Sequence, residues 1–80
     1  MKMLDSAFAS PVNLTSSAIA QVAYDDHRQL LRVKFRDGAV YLYLDVPAAA
    51  YHGLLTAQSQ GAYFNRMIRS TYVYSVCRAP

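Results

Sequence analysis

Over residues 30–44 the chain reads LLRVKFRDGAVYLYL, two runs in which side chains alternate in character on either side of Asp37-Gly38. That dipeptide is the strongest short signal for a two-residue turn of type I′, so the segment is predicted to be a β-hairpin. The register of such a turn pairs Phe35 with Val40 and Val33 with Leu42. The hairpin therefore decides which side chains share a face, and with them the fold.

This register predicts one apolar face and one mixed face, because successive side chains of a strand point to opposite sides. The apolar face, expected to point to the core, comprises Leu31, Val33, Phe35, Val40, Leu42 and Leu44. The other face interleaves cations with aromatic rings and comprises Arg32, Lys34, Arg36, Tyr41 and Tyr43. Such a surface suits a polyanion with stackable bases, so the first functional hypothesis is binding of RNA or single-stranded DNA.

Further strands are predicted on both sides of the hairpin. Residues 19–24 are predicted to form the first strand, which Asp25 and Asp26 end. Placing Ile19 and Val22 together in the core requires an irregularity such as a β-bulge, because they are an odd number of positions apart. Residues 72–76 alternate again and are predicted to form the last strand.

Two helices are predicted between the hairpin and the last strand. Pro47 suits a helix start, so residues 48–57 are expected to be helical. Ser59 is a good N-cap for a second helix that runs to about Arg69. The fold expected is a small single α+β domain, in which a curled antiparallel sheet of three to four strands has two short helices between the third and last strands.

The domain is predicted to span residues 16–76. Residues 1–15 mix small, polar and apolar side chains without a period, so they are expected to form a loosely ordered arm or a short edge strand. Residues 77–80 are expected to be a C-terminal tail.

The composition limits the possible partners. The chain has 80 residues, is 54% hydrophobic and carries a net charge of +3, which permits a polyanionic ligand but does not select one. A homodimer is also compatible with so apolar a chain. Cys77 is the one cysteine, which fits a reducing compartment, and no apolar run is long enough for a membrane span, so a cytoplasmic protein is expected.

No catalytic, metal-binding or cofactor-binding residues are predicted. The aspartates lie at predicted turns and strand ends, where short acidic side chains have local backbone roles. His27 and His52 lack partner cysteines, and Cys77 lacks a visible orienting group. A non-catalytic binding domain is therefore expected.

Short motifs follow one another along the chain in a fixed order. They are Ser17-Ala18-Ile19, the Asp37-Gly38 turn, Tyr41-Leu42-Tyr43, Val46-Pro47, Ser59-Gln60-Gly61 and Phe64-Asn65 followed by Ile68-Arg69. Over about residues 16–74 this series resembles the KTSC domain, a family marked by a central Tyr-x-Tyr. The family takes its name from the C-terminal region of some lysyl-tRNA synthetases and also occurs as small stand-alone bacterial and phage proteins. The resemblance implies RNA binding, which has been suggested from the attachment to the synthetase.

The helix start that contains Ser59, Gly61 and Asn65 has two interpretations: a cap with a close-packing glycine, or a phosphate contact. Family members often carry Lys between the Ser and the Gly, whereas here Gln60 stands there, which removes a candidate phosphate contact.

Three alternatives stay open at this level. Tyr41 and Tyr43 are either base-stacking platforms or ordinary strand residues, packed over Arg32 and Lys34 or lying under a helix. Arg66 and Arg69 either extend the basic surface or form a solvated helix face. The competing function is a protein-interaction or self-association module that uses the tyrosine-rich face or the edge of the last strand.

Overall fold

Five antiparallel strands form one sheet in the computed structural model, which describes residue 8 and residues 10–77. The strands are β1 (Val12–Asn13), β2 (Ile19–Asp25), β3 (Leu30–Phe35), β4 (Val40–Tyr43) and β5 (Tyr74–Cys77). Helices α1 (Ala48–Thr56) and α2 (Gln60–Tyr63) lie between β4 and β5, and α2 continues as a π-helical segment (Phe64–Arg69). Each strand pairs with the next along the chain, so the sheet order is β1-β2-β3-β4-β5.

The sheet has one strand more than the three to four predicted. The additional strand is β1, whose two residues pair with Val22 and Gln21 of β2. β1 lies within residues 1–15, for which a short edge strand was one of the two expectations. Of the predicted arm over residues 1–15, residues 1–7 and 9 lie outside the described part of the chain. The same holds for residues 78–80 of the predicted tail, whereas Cys77 ends β5.

The irregularity predicted in the first strand is confirmed. The pairing of β2 with β3 shifts between Ile19 and Gln21, and both Ile19 and Val22 are buried. The predicted cap of the second helix is also confirmed, because the Ser59 hydroxyl accepts a hydrogen bond from the Ala62 amide.

The hairpin register differs from the prediction by one residue. The Phe35 amide donates to the Ala39 carbonyl and the Gly38 amide to the Phe35 carbonyl, so the loop has three residues. Gly38 has a positive φ of 97°, as expected when a type I turn is closed by a left-handed glycine. The predicted type I′ turn is therefore wrong. Leu31 lies opposite Tyr43, and Val33 lies opposite Tyr41.

A shift of one residue turns every side chain of β4 to the other face. Tyr41 and Tyr43 share a face with Leu31 and Val33, whereas Val40 and Leu42 share the opposite face with Arg32 and Lys34. The predicted apolar face was right for β3 and wrong for β4. The predicted mixed face of cations and tyrosines does not form.

The helices cover the face that carries the tyrosines, here called the helix side; the other is the outer face. The Tyr51 ring of α1 stacks on Tyr24, with 4.7 Å between ring centroids. The Phe64 ring of the π-helical segment packs edge-on against Tyr43 and Phe35, at 5.4 and 5.5 Å. Because the helices contribute aromatic and aliphatic side chains to this side, the core lies between them and the sheet. The buried apolar residues of this core are Leu14, Ile19, Val22, Tyr24, Leu31, Val33, Tyr43, Val46, Tyr51, Leu54, Phe64 and Ile68.

Candidate nucleic-acid interface

The tyrosines of the central motif have different environments although they lie on the same face. Tyr43 is only 2% exposed and is a core residue, packed against Phe64. Tyr41 is half-buried, and its ring packs edge-on against Phe35, with 5.4 Å between ring centroids. Of the two, Tyr41 has a ring that a ligand can reach.

Tyr74 extends the aromatic surface of Tyr41. β5 pairs with β4 so that Tyr74 lies opposite Tyr43 and Val76 opposite Tyr41. The Tyr74 ring lies 5.0 Å from Tyr41 and 5.5 Å from Tyr43, between centroids, and Tyr74 is 49% exposed. Adjacent, partly exposed rings are the kind of surface on which nucleobases stack.

A groove of about 290 Å³ opens beside these rings, and we call it the aromatic groove. Its lining residues are Ala18, Phe35, Asp37, Ala39, Tyr41, Tyr43 and Arg69. Arg69 enters from the π-helical segment and places a cation next to the aromatic rings. The volume is near the lower end of the range for ligand pockets, about 300 Å³, so the groove suits one small group.

The pKa of the Tyr43 phenol depends on its burial and on the charge of Arg69. Burial raises the pKa of Tyr43, and the positive charge of Arg69 lowers it in part. The phenol therefore stays neutral at physiological pH and keeps its capacity to donate a hydrogen bond.

None of the three cations of the hairpin is among the residues that line the aromatic groove. Arg32, on the outer face, places its guanidinium 4.8 Å from the centroid of the Phe8 ring, a cation–π arrangement. Lys34 is exposed on the same face. Arg36 donates from Nε to the Ser16 carbonyl at 3.0 Å and from Nη2 to the Leu14 carbonyl at 2.7 Å. Arg36 thus holds the segment before β2 against the hairpin tip.

The cations of the π-helical segment are both exposed. Arg69 donates to the Asn65 side-chain oxygen at 3.5 Å, a weak contact that leaves most of its donors free. Arg66 lies three residues earlier, near the C-terminal end of the segment. The predicted basic residues are therefore divided between the two sides of the sheet.

The residues around the second helix start form a second groove, polar and about 390 Å³ in volume. It brings Ser59, Gly61 and Asn65 together with the segment that precedes β2. A Cβ at Gly61 would lie 3.4 Å from the Ser16 hydroxyl oxygen, an ordinary van der Waals distance. The Gln60 amide turns back towards the Leu55 carbonyl, at 3.4 Å. Of these residues, Ser59 has an observed capping role, because its hydroxyl accepts a hydrogen bond from the Ala62 amide.

The sequence profile of the KTSC domain matches residues 15–72, a range that contains β2, β3, β4 and both helices. The chain belongs to the KTSC domain family. The predicted resemblance is therefore confirmed.

Relatives of this KTSC domain come from several bacteria. A protein from Tsukamurella paurometabola is 39% identical over 57 residues, which are 71% of this chain and 85% of the relative. An uncharacterized protein from Stutzerimonas stutzeri is 40% identical over 58 residues, 72% of this chain and 82% of the relative. The crystal structure of a KTSC domain protein from Yersinia pestis superposes with a TM-score of 0.83 at 28% identity, covering 86% of this chain and 97% of that one.

The sequence did not assign three residues of the aromatic groove or its rim to a site: Phe35, Asp37 and Tyr74. Phe35 was expected in the core and Asp37 in a turn, and the alternation of residues 72–76 gave Tyr74 a strand but no neighbour. Only the pairing of β5 with β4 brings Tyr74 to Tyr41.

Within the described residues, no three His, Cys, Asp or Glu side chains come close enough together to hold a metal ion. No helix in that part of the KTSC domain is both long and apolar enough to cross a membrane.

Proposed function

We propose that this KTSC domain is a cytoplasmic, non-catalytic domain that binds single-stranded RNA at the aromatic groove. The observation that carries the proposal is the position of Tyr41, which lines the aromatic groove together with Arg69 and lies 5.0 Å, between ring centroids, from the half-exposed Tyr74 ring beside the groove. Binding of unpaired nucleotides requires a stacking platform and a phosphate contact, and here the aromatic rings supply the first and the cation supplies the second.

The roles of the residues follow from their exposure. Tyr74 and Tyr41 stack on one base each or share one base, because parts of both rings are open to solvent. Arg69 contacts a phosphate with the guanidinium donors that Asn65 leaves free. Asp37, which also lines the groove, accepts a hydrogen bond from a base amino group with the carboxylate oxygen that does not accept from the Ala39 amide. Tyr43 has a supporting role beneath the stacked base.

The salt dependence of binding is predicted to be shallow. On the helix side, Arg69 and Arg66 are the described cations of the π-helical segment, so about two phosphates are neutralised. The logarithm of the association constant should then fall with the logarithm of salt concentration with a slope of about −1.4 for a single strand. A site that also used Arg32 and Lys34 would give a slope about twice as steep.

The test is fluorescence anisotropy of a labelled RNA ten-mer, titrated with the wild-type protein and with Tyr74→Ser and Arg69→Ala. Removing one stacking ring should weaken binding by about ten-fold, since a stacked base contributes about 1 to 3 kcal/mol. Tyr74 is half exposed, so its loss should leave the domain folded, and the circular dichroism spectrum checks this.

The matched control is Lys34→Ala, which removes an exposed cation from the outer face. It should change affinity less than two-fold, whereas Arg69→Ala should also flatten the salt slope. Equal losses in Lys34→Ala and Arg69→Ala would contradict binding at the aromatic groove. Absence of any binding at high protein concentration would contradict the function itself.

A further inference from the structure

Strand β5 leaves an apolar edge of the sheet exposed. All four of its residues are exposed, and it pairs with β4 on one side. Val73, Tyr74 and Val76 are 71%, 49% and 52% exposed, and they are among the most exposed large apolar side chains of the described chain. Exposed apolar residues in a row along a strand edge mark a site where another strand can add.

The hydrogen-bond alternation identifies the unpaired backbone groups of this edge. The Leu44 amide donates to the Val73 carbonyl, so residues 73, 75 and 77 direct their amides and carbonyls towards β4. Tyr74 and Val76 consequently direct theirs outward. Within residues 10–77 no other strand pairs with this side of β5, so two donors and two acceptors lie along the edge.

The opposite edge of the sheet is protected, which makes the exposure of β5 informative. β1 has only two residues, and Pro11 precedes it without an amide donor. Short strands and prolines are common means of blocking edge-to-edge pairing. The residues from Tyr72 to Cys77 contain no proline and no charge.

We propose that β5 pairs antiparallel with β5 of a second copy of this chain and forms a two-fold symmetric dimer with a continuous ten-stranded sheet. The register places Ser75 on the two-fold axis, opposite the partner's Ser75. Tyr74 then lies opposite the partner's Val76, and each of these pairs exchanges two hydrogen bonds. Four hydrogen bonds form, and they use every outward group of Tyr74 and Val76.

A second copy fits this edge because the strand is complementary to itself. In the proposed register the helix side brings Tyr74 against Val76, and the outer face brings Val73 against Cys77. Each contact is apolar, and no like charges meet, in contrast to the charged outer face of β3.

The dimer is predicted to be weak. A strand of four residues is about 14 Å long at about 3.4 Å per residue, and an interface of this length is at the small end of specific interfaces. We expect a dissociation constant on the order of 100 µM. The dimer is therefore detected only at high protein concentration.

The first experiment is sedimentation equilibrium of the full chain between about 10 µM and 1 mM. The average mass should rise from 8.9 kDa towards twice that value, with little effect of salt. Val76→Lys should remain at 8.9 kDa, because it places two like charges in the pairing edge. The matched control is Val12→Lys on the protected edge, which should dimerise like the wild type.

The second experiment tests the register by oxidative cross-linking of the double variant Ser75→Cys/Cys77→Ser. Residues opposite each other at a non-hydrogen-bonded position have Cα atoms about 4.5 Å apart, within the range for a disulfide. Wild-type Cys77 would lie four positions from the partner's Cys77, about 14 Å along the strand, and should not cross-link. A disulfide dimer is therefore expected for the variant and not for the wild type.

Several results would overturn the proposal. These are a mass of 8.9 kDa at 1 mM, equal dimerisation of Val76→Lys and the wild type, or cross-linking through Cys77 in place of position 75. Measurements without RNA separate this inference from the proposed function, because Val76→Lys blocks dimerisation and leaves Arg69 and Tyr74 unchanged.

Discussion

The strongest stability prediction concerns neighbouring residues of β4, and it follows from the hairpin register. Tyr43 points to the helix side and is 2% exposed, whereas Leu42 points to the outer face and is half-buried. Tyr43→Ala should therefore lower the free energy of unfolding more than Leu42→Ala. Under the register of a two-residue turn the order of the costs would be reversed.

The magnitude for Tyr43→Ala follows from buried area. A buried aromatic side chain removes about 200 Å² from water, which at about 25 cal/mol per Å² corresponds to about 5 kcal/mol. Because the unfolded chain is itself partly compact, about a third of this value is lost, which leaves about 3 to 4 kcal/mol. Core substitutions of large aromatic residues by Ala have costs in the same range.

The cost for Leu42→Ala is smaller. A half-buried leucine loses part of its contact area and leaves no closed cavity, so we expect about 1 kcal/mol. For a domain of this size this is a decrease in the melting temperature of about 4 to 8 °C.

The assay is urea unfolding followed by far-ultraviolet circular dichroism, because the chain contains no tryptophan. Tyr43→Phe is the matched control, since it keeps the ring and should cost less than Tyr43→Ala by at least 2 kcal/mol. A domain of 80 residues has about 4 to 12 kcal/mol of stability, so Tyr43→Ala removes a large part of it. A larger loss in Leu42→Ala than in Tyr43→Ala would refute the register and the placement of the aromatic groove.

Three more predictions concern stability and are measured by thermal or urea unfolding. Gly53→Ala should destabilise the domain despite the helix preference for Ala, because the new Cβ would collide with the Tyr63 hydroxyl. In a Tyr63→Ala background the same substitution should stabilise the domain by about 1 kcal/mol, and equal effects in both backgrounds would contradict the collision. Tyr24→Phe should cost about 1 to 3 kcal/mol, because it leaves without a partner the buried carbonyl that the phenol contacts at 2.5 Å, and a neutral result would contradict that bond. The side-chain hydrogen bond from Arg28 holds the pKa of Asp25 below its usual 3.8, so the ionised carboxylate stabilises the fold above about pH 4. This stabilisation is lost as the pH falls through the lowered pKa. The difference in unfolding free energy between the wild type and Asp25→Asn should therefore narrow below about pH 4, and a constant difference would contradict the linkage.

The sequence was sufficient for the strands of the sheet that have clear alternation and for both helix starts. The irregularity near Ile19 was predictable because Ile19 and Val22 are an odd number of positions apart and can face the same side only if the strand is irregular between them. The Ser59 cap was predictable because the interaction is local to one turn.

The hairpin register was not predictable from the residues at the turn. Gly38 has a positive φ in both the two-residue and the three-residue loop, so the dipeptide does not distinguish them. Both faces of β4 are also able to face a core, since tyrosine and leucine each bury well. The decisive contacts come from Phe64 and Tyr74, which are more than twenty residues away along the chain.

The same limit applies to the candidate site. Of the predicted binding residues, Tyr41, Tyr43 and Arg69 line one groove, while Arg36 is held by backbone carbonyls. The role of Arg36 depends on the segment before β2, whose position no local pattern indicated. Local signals therefore predicted the residue types of a binding surface but not the face on which they lie.

The most direct test of the aromatic groove is a ¹H–¹⁵N correlation spectrum of the labelled domain, titrated with a single-stranded RNA ten-mer. If RNA binds at the aromatic groove, amide shifts concentrate at Tyr41, Arg69 and Tyr74, and the outer-face positions Arg32 and Lys34 stay unchanged. Shifts that concentrate on the outer face, or a spectrum that RNA leaves unchanged, would contradict it.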